Sequence, residues 1–132
     1  SCIVRAPESE LRILINNLVN NAIKYGGTPP LVQVTSHFRA DDHEVQILVK
    51  DNGKGIALRD RARIFRRFVR LENELERRTK GTGLGLYLVK TIASRLRGTV
   101  RVLKSDSRNG TTFEVRLPAI SSASSEPQCL PE

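Results

Sequence analysis

The sequence contains no tryptophan and no methionine, and only two cysteines, Cys2 and Cys129. Two cysteines at opposite ends make neither a disulfide framework nor a metal site. They read as two free thiols in a reducing compartment. Aromatic residues are scarce, with four Phe and two Tyr, so no stacking platform for nucleic acid is in view. The two histidines, His37 and His43, have no Cys or second His at metal-ligand spacing. No Ser-His-Asp arrangement can be argued from them. No apolar run reaches the roughly 18 residues of a membrane span. The opening SCIVRAPESE lacks a basic start followed by an apolar stretch, so no signal peptide is expected. Nine Gly and six Pro are too few for a collagen-like or low-complexity chain.

What is present fits one globular domain with a modest core: 132 residues, 39% hydrophobic and 27% charged. The net charge of +8 is uneven. Residues 54–104 hold 15 Lys and Arg against 4 Asp and Glu, whereas the rest hold 7 against 10. An anionic partner for the middle segment is expected. Composition does not say whether it is nucleic acid, an acidic protein surface or a phosphate ligand.

Residues 8–25 read as a helix. Leu11, Leu14, Ile15, Leu18, Val19, Ala22 and Ile23 recur in steps of three and one, the pattern of a one-sided buried helix, and Gly26-Gly27 stops it. Residues 31–39 and 44–50 alternate with period two and read as strands joined by a turn at Asp41-Asp42. Residues 58–68 suggest a short basic helix, and residues 69–83 a loop. Residues 84–97 read as a second main helix ended by Gly98. Residues 99–104 and 111–117 read as strands with Asn109-Gly110 at the turn. This order predicts an α+β fold: a two-layer α/β sandwich with a mixed sheet of about five strands and about three helices on one face. The domain is expected over residues 1–118, with a disordered Ser- and Pro-rich tail over 119–132.

Four stretches carry chemistry. On the first helix Asn17, Asn21 and Lys24 fall at about 240°, 280° and 220° when Leu11 is zero, one stripe about 60° wide. Asn16 and Asn20 fall further toward solvent. Asn is a poor helix former, so four in six positions is an odd choice for a merely solvated face. An amide oxygen is a hard ligand able to take one place on Mg²⁺, and Lys24 is placed to meet phosphate charge. DNGKGI, residues 51–56, follows a strand; its glycines allow a tight turn and close approach by a ligand, although the pattern alone also suits a simple turn. GTGLGL, residues 81–86, opens a helix whose free N–H groups suit phosphate. It fits neither a Rossmann nor a Walker pattern, and helix packing is the bland alternative. RDRARIFRRFVR, residues 59–70, reads either as a nucleic-acid stripe or as a helix docked by Phe65 and Phe68 with solvated arginines, and the second is favoured.

Taken in order, these motifs resemble the catalytic ATP-binding domain of bacterial sensor histidine kinases, of the GHKL or Bergerat fold. NNLVNNAIKYG is similar to the family's N box, DNGKGI to its first glycine box, IFRRFVR to its F box and GTGLGL to its second glycine box. GTTFEVRLP resembles its closing strand, and the resemblance runs over about residues 3–118. It implies Mg-ATP as ligand, with Asn21 on the metal, and Asn17 and Lys24 near metal and phosphates as catalytic residues. Tyr25 would pack near the nucleotide, and Asp51 would accept from the adenine amino group. Gly53 and Gly55 would lie beneath the adenine, with Ile56 beside them. Gly81, Thr82, Gly83, Leu84, Gly85 and Leu86 would wrap the phosphates. Thr111 would bring a hydroxyl near the base. Residues 69–83 would form a lid, with Arg78 and Lys80 among its basic residues.

Related hydrolases of the fold carry a Glu where this chain has Asn17. An amide is no general base near neutral pH. The resemblance therefore implies a protein-histidine kinase domain that transfers the γ-phosphoryl group to a histidine on a separate helical dimerisation domain, and that does not autophosphorylate alone. A response regulator receiver domain would act downstream. Two alternatives are an anti-sigma-type serine kinase of the same fold and a basic nucleic-acid-binding module. No nucleic acid and no membrane segment are expected, and the expected location is cytoplasmic, with a parent protein that could be anchored in the inner membrane. Similar sequences often have Asp-Pro where this chain has Ala6-Pro7, which bears on the helix cap and not on the pocket.

Overall fold

The computed structural model describes residues 3–4, 7–66 and 85–120. The elements run β1 (Ile3–Val4), α1 (Glu8–Tyr25), β2 (Val32–Arg39), β3 (Glu44–Asp51), two single 3-10 turns (Leu58–Asp60 and Arg63–Phe65), α2 (Gly85–Arg95), β4 (Thr99–Asp106) and β5 (Gly110–Ile120).

Helix α1 begins at Pro7, with no side-chain cap. Pro suits a helix start because its missing N–H would have no partner there. Glu8 and Glu10 supply the negative charge that the first turn favours. Leu14, Leu18 and Ala22 are fully buried, whereas Asn16, Asn20 and Ile23 are exposed. The burial therefore centres closer to Asn17 and Asn21 than the apolar periodicity suggests. Helix α2 explains this, because it packs on that side. Its N-terminal Gly85 lies against Asn17, and Arg95 near its end pairs with Glu10 at 3.0 Å. The two helices run antiparallel.

All the strand pairs are antiparallel. The sheet was expected to be mixed. It is not, because the crossover through α2 leaves a gap between β3 and β4, and β5 returns to fill it. Among the described residues β3 and β4 thus each pair with β5 and not with each other. Inward residues alternate along the two central strands, Val45, Ile47 and Val49 on β3 and Phe113, Val115 and Leu117 on β5. With α1, α2, Ile64 and Phe65 they form one core. Phe65 meets Phe113 edge to face, with centroids 6.1 Å apart.

Four local expectations change. The basic helix over 58–68 is two 3-10 turns as far as residue 66, fastened by the Ile64 and Phe65 side chains. At the end of α2 the left-handed residue is Arg97 (φ 65°), not Gly98. Gly98 is required for another reason: a Cβ there would stand 2.1 Å from the Arg116 carbonyl oxygen. The β4–β5 turn is three residues long, with Gly110 (φ 81°) opening β5. Strand β5 continues to Ile120, past the boundary drawn at 118, because Ala119 N–H donates to the His43 carbonyl and pairs with β1. Residues 121–132 of the expected tail, Cys2 and Cys129, and residues 67–84 with Phe68 lie outside the described residues.

Candidate functional site

Strand alternation builds the centre of the site. Asp51 and Thr111 continue the inward rows of β3 and β5 one step past the hydrophobic core. Both are buried, at 5% and 3% exposure. The Asp51 Oδ1 atom accepts the Gly53 N–H at 2.8 Å and the Thr111 N–H at 3.3 Å. These bonds fix the carboxylate plane. Oδ2 has no hydrogen-bond partner among the described residues, so an acceptor is left for a donor on a ligand. Burial pushes the Asp51 carboxyl above the usual aspartate range, against the lowering pull of the two N–H donors.

The glycine turn after β3 is held on two sides. A Cβ on Gly53 would stand 2.2 Å from the Tyr25 carbonyl oxygen, so the turn sits directly on the end of α1. Gly55 has φ 89° and faces the Asp106 carbonyl, where a Cβ would stand at 2.7 Å. Ser105 Oγ accepts the Ile56 N–H at 2.7 Å and lies 2.8 Å from Thr111 Oγ1. Arg61 closes this side, with Nη2 donating to the Ser105 carbonyl at 2.8 Å and Nε to the Ile56 carbonyl at 3.3 Å. At the far end of β4, Asp106 accepts the Arg108 and Asn109 N–H groups. These bonds hold its carboxyl below the usual range and shape the hairpin that carries Thr111.

The stripe on α1 supplies the opposite end. Asn17 and Asn21 are half-buried, Asn17 against the start of α2, and Lys24 and Tyr25 are exposed in the last turn. Asn17 Nδ2 donates to the Ile13 carbonyl at 2.8 Å. Its Oδ1 lies where a Cβ on Gly85 would be 3.2 Å away. Lys24 Nζ stands 5.0 Å from the centre of the Tyr25 ring. Leu86 packs at the edge of the core, as does Ile56. The structure thus brings Asp51, Gly53, Gly55, Ile56 and Thr111 together, joins them to Tyr25 through Gly53, and sets Asn17 against Gly85. Arg78, Lys80, Gly81, Thr82, Gly83 and Leu84 lie outside the described residues.

The residue-type patterns do not mark three further residues. Asn52 lies inside the glycine motif, where it passes for a turn residue. Ser105 lies near the end of β4 like any small polar residue. Arg61 sits in a run whose arginines read as solvated; it is half-buried and occupied by two backbone carbonyls. Its neighbour Arg63 is exposed and pairs with Asp60 at 2.9 Å.

No group of three or more His, Cys, Asp or Glu that could hold a metal occurs among the described residues. Nor is any helix among them long and apolar enough to cross a membrane.

The family described as "Histidine kinase-, DNA gyrase B-, and HSP90-like ATPase" matches residues 6–121. The chain belongs to this family. Among similar members, the sensor-like histidine kinase SenX3 of Mycobacterium tuberculosis is 42% identical over 104 residues. That match covers 79% of this chain and 25% of SenX3, so the chain spans about a quarter of its relative's length. Two solved histidine kinase-family structures share the ATPase-family fold with it. The mycobacterial sensor histidine kinase MprB superposes with a TM-score of 0.77 at 27% identity, covering 88% of this chain and 76% of that one. Full-length ShkA in complex with AMPPNP gives 0.76 at 30% identity, covering 92% and 24%.

Proposed function

We propose that this domain binds Mg-ATP and is the catalytic domain of a two-component sensor histidine kinase. The observation that carries the reading is the Asp51 carboxylate. It is buried and fixed through Oδ1, and its second oxygen has no partner among the described residues. A fixed anionic acceptor selects a base that presents an amino group, as adenine does. Gly53 and Gly55, where a Cβ would strike the Tyr25 and Asp106 carbonyl oxygens, let the turn pack tightly between the end of α1 and β4 beside this carboxylate.

At the other end, Asn21 supplies a hard amide oxygen. One such ligand suits a cation that arrives already chelated by phosphates and keeps several waters, as Mg²⁺ does. The absence of an acidic cluster among the described residues agrees with a metal carried in by the nucleotide. When bound, Mg²⁺ would neutralise phosphate charge. Lys24 adds a cation one turn on, and Arg78 and Lys80 are assigned to the lid around the γ-phosphate. Gly81, Thr82, Gly83, Leu84, Gly85 and Leu86 are assigned to the turn and helix start that receive the phosphates.

Phosphoryl transfer is mostly positioning and charge stabilisation. In the proposed reaction an imidazole nitrogen of a separate dimerisation domain attacks the γ-phosphorus. A P–N bond forms, the bond from the γ-phosphorus to the bridging oxygen breaks, and ADP leaves. Asn17 occupies the place of a water-activating base. Its amide cannot take a proton, and its NH₂ is engaged by the Ile13 carbonyl. The domain should therefore hold ATP without hydrolysing it until the histidine is presented. A response regulator receiver domain would then take the phosphoryl group, with both domains in the cytoplasm.

The test is incubation with γ-labelled ATP and Mg²⁺, with and without a helical hairpin bearing the phosphoacceptor histidine. Acid-labile, base-stable label on the hairpin is expected, with little free phosphate in its absence. Rapid phosphate release by the chain alone, or transfer to a serine-bearing protein partner instead, would overturn the assignment.

A further inference from the structure

Asn52 points away from the base site, yet its single amide meets three backbone groups of the loop that follows α1. Oδ1 accepts the Gly27 N–H at 2.8 Å and the Leu31 N–H at 2.9 Å. Nδ2 donates to the Pro29 carbonyl at 3.1 Å. This loop needs such help, because Pro29 and Pro30 have no N–H to pair with each other's backbone. Both glycines before it make room for the clamp. A Cβ on Gly26 would stand 3.2 Å from Asn52 Oδ1, and one on Gly27 would stand 2.8 Å from Nδ2.

The last turn of α1 is where this matters. Ala22 is the last fully buried residue of the helix, and Ile23, Lys24 and Tyr25 are exposed. The core therefore anchors α1 up to Ala22 and not through Lys24. Helix ends fray unless something holds them. Here Gly53 seats the Tyr25 carbonyl, and Asn52 ties down Gly27, two residues beyond it, together with Pro29 and Leu31.

We propose that Asn52 is a positioning residue of the nucleotide site: it fixes the phosphate-facing end of α1 relative to the base-facing Asp51. The inference rests on the nucleotide reading of the site. Three successive residues then divide the work. Asp51 turns inward to the base, Asn52 turns outward to clamp the loop, and Gly53 receives the helix end. Both polar atoms of Asn52 are engaged by the loop, so its effect is pre-organisation, felt by a ligand that must reach both ends at once.

The experiment compares the 132-residue chain with its Asn52→Ala and Asn52→Asp variants, titrated with Mg-ATP and with adenosine. Asn52→Ala should weaken Mg-ATP binding about tenfold and adenosine binding less than about twofold, because only ATP spans the two ends. Asn52→Asp keeps the acceptor for Gly27 and Leu31 and loses the donor to Pro29, so it should recover part of the ATP affinity. Hydrogen exchange at the Gly27 and Leu31 amides should quicken in Asn52→Ala and slow again in Asn52→Asp. Unchanged ATP affinity, or equal loss of ATP and adenosine with unchanged amide exchange, would overturn the proposal. A parent chain that binds neither ligand would sink the nucleotide reading instead, and the amide exchange would still decide whether the clamp exists.

Discussion

Asn17 Oδ1 faces the Cα of Gly85 so closely that a Cβ there would stand 3.2 Å away. The N box on α1 and the helix opened by the second glycine motif thus touch through one amide and one glycine. The contact explains both the glycine and the direction in which α1 is buried.

Gly85→Ala should separate fold from site. Alanine is the better helix former by about 1 kcal/mol, so the melting temperature should hold or rise. The added methyl would push the Asn17 amide aside by a few tenths of an ångström and strain its bond to Ile13, so Mg-ATP affinity should fall several-fold. Calorimetric titration beside thermal melting checks both. Unchanged affinity would mean that the Asn17 amide is not part of the site.

The facing of α1 gives a second comparison. Asn21 is half-buried, and Asn16 is exposed. Asn21→Ala should abolish the Mg²⁺-dependent part of ATP binding, and Asn16→Ala should leave it nearly intact. Titration with and without Mg²⁺ reads the difference, and equal losses would contradict the proposed metal ligand.

Asp51 links binding to pH with a distinctive sign. Its folded-state pKa is raised by burial. Its charged form therefore destabilises the fold above that raised value, and the penalty is relieved as pH falls through it toward the unfolded value. ATP binding needs the charged acceptor, so it should weaken over the same interval. Titrations from neutral to mildly acidic pH should show affinity falling with acid. Asp51→Asn should flatten this dependence and cost about 1.5–3 kcal/mol of binding, the worth of a hydrogen bond to a charged group.

Glu114 has the opposite linkage. It lies on the sheet face away from the helices, yet it is only 1% exposed. Arg101 Nε donates to Oε1 at 2.6 Å, Gln46 Nε2 donates to Oε2, and Arg116 Nε stands 3.3 Å from Oε2. Burial opposes its charge, but these donors and the two guanidinium charges outweigh it and hold the carboxyl below the usual range. Its stabilisation is present above the ordinary glutamate value and is lost as pH falls through the lowered one. Glu114→Ala should cost about 1–3 kcal/mol in urea unfolding, because it removes two hydrogen bonds to a buried charged group, and should not change ATP affinity.

The regular elements were legible because periodicity and burial are local. The three- and four-step pattern of α1 and the alternation in β2, β3 and β5 follow from which side of each element meets the core. The motif order pointed to the family, and the Asn-for-Glu difference at residue 17 needs only residue identity. The sheet order was not legible. Alternating patterns show which residues face inward, not which strand lies beside which, and β5 takes the place between β3 and β4. Nor did alternation show that Glu114, on an outward position, would be covered by Arg101, Gln46 and Arg116.

By itself the sequence determined the two main helices, the strands, the order of the glycine motifs and the chemistry available at Asn17, Asn21, Lys24 and Asp51. Only the tertiary structure decided that Asn52 would hold the loop after α1, that Arg61 and Ser105 would brace the glycine turn, and that Gly85 would meet Asn17. The reason is physical: these contacts join residues that lie 21 to 68 positions apart or on different elements, and each is a single hydrogen bond or close approach. Such a contact leaves no repeating trace along the chain and exists only once the core has brought its two ends together.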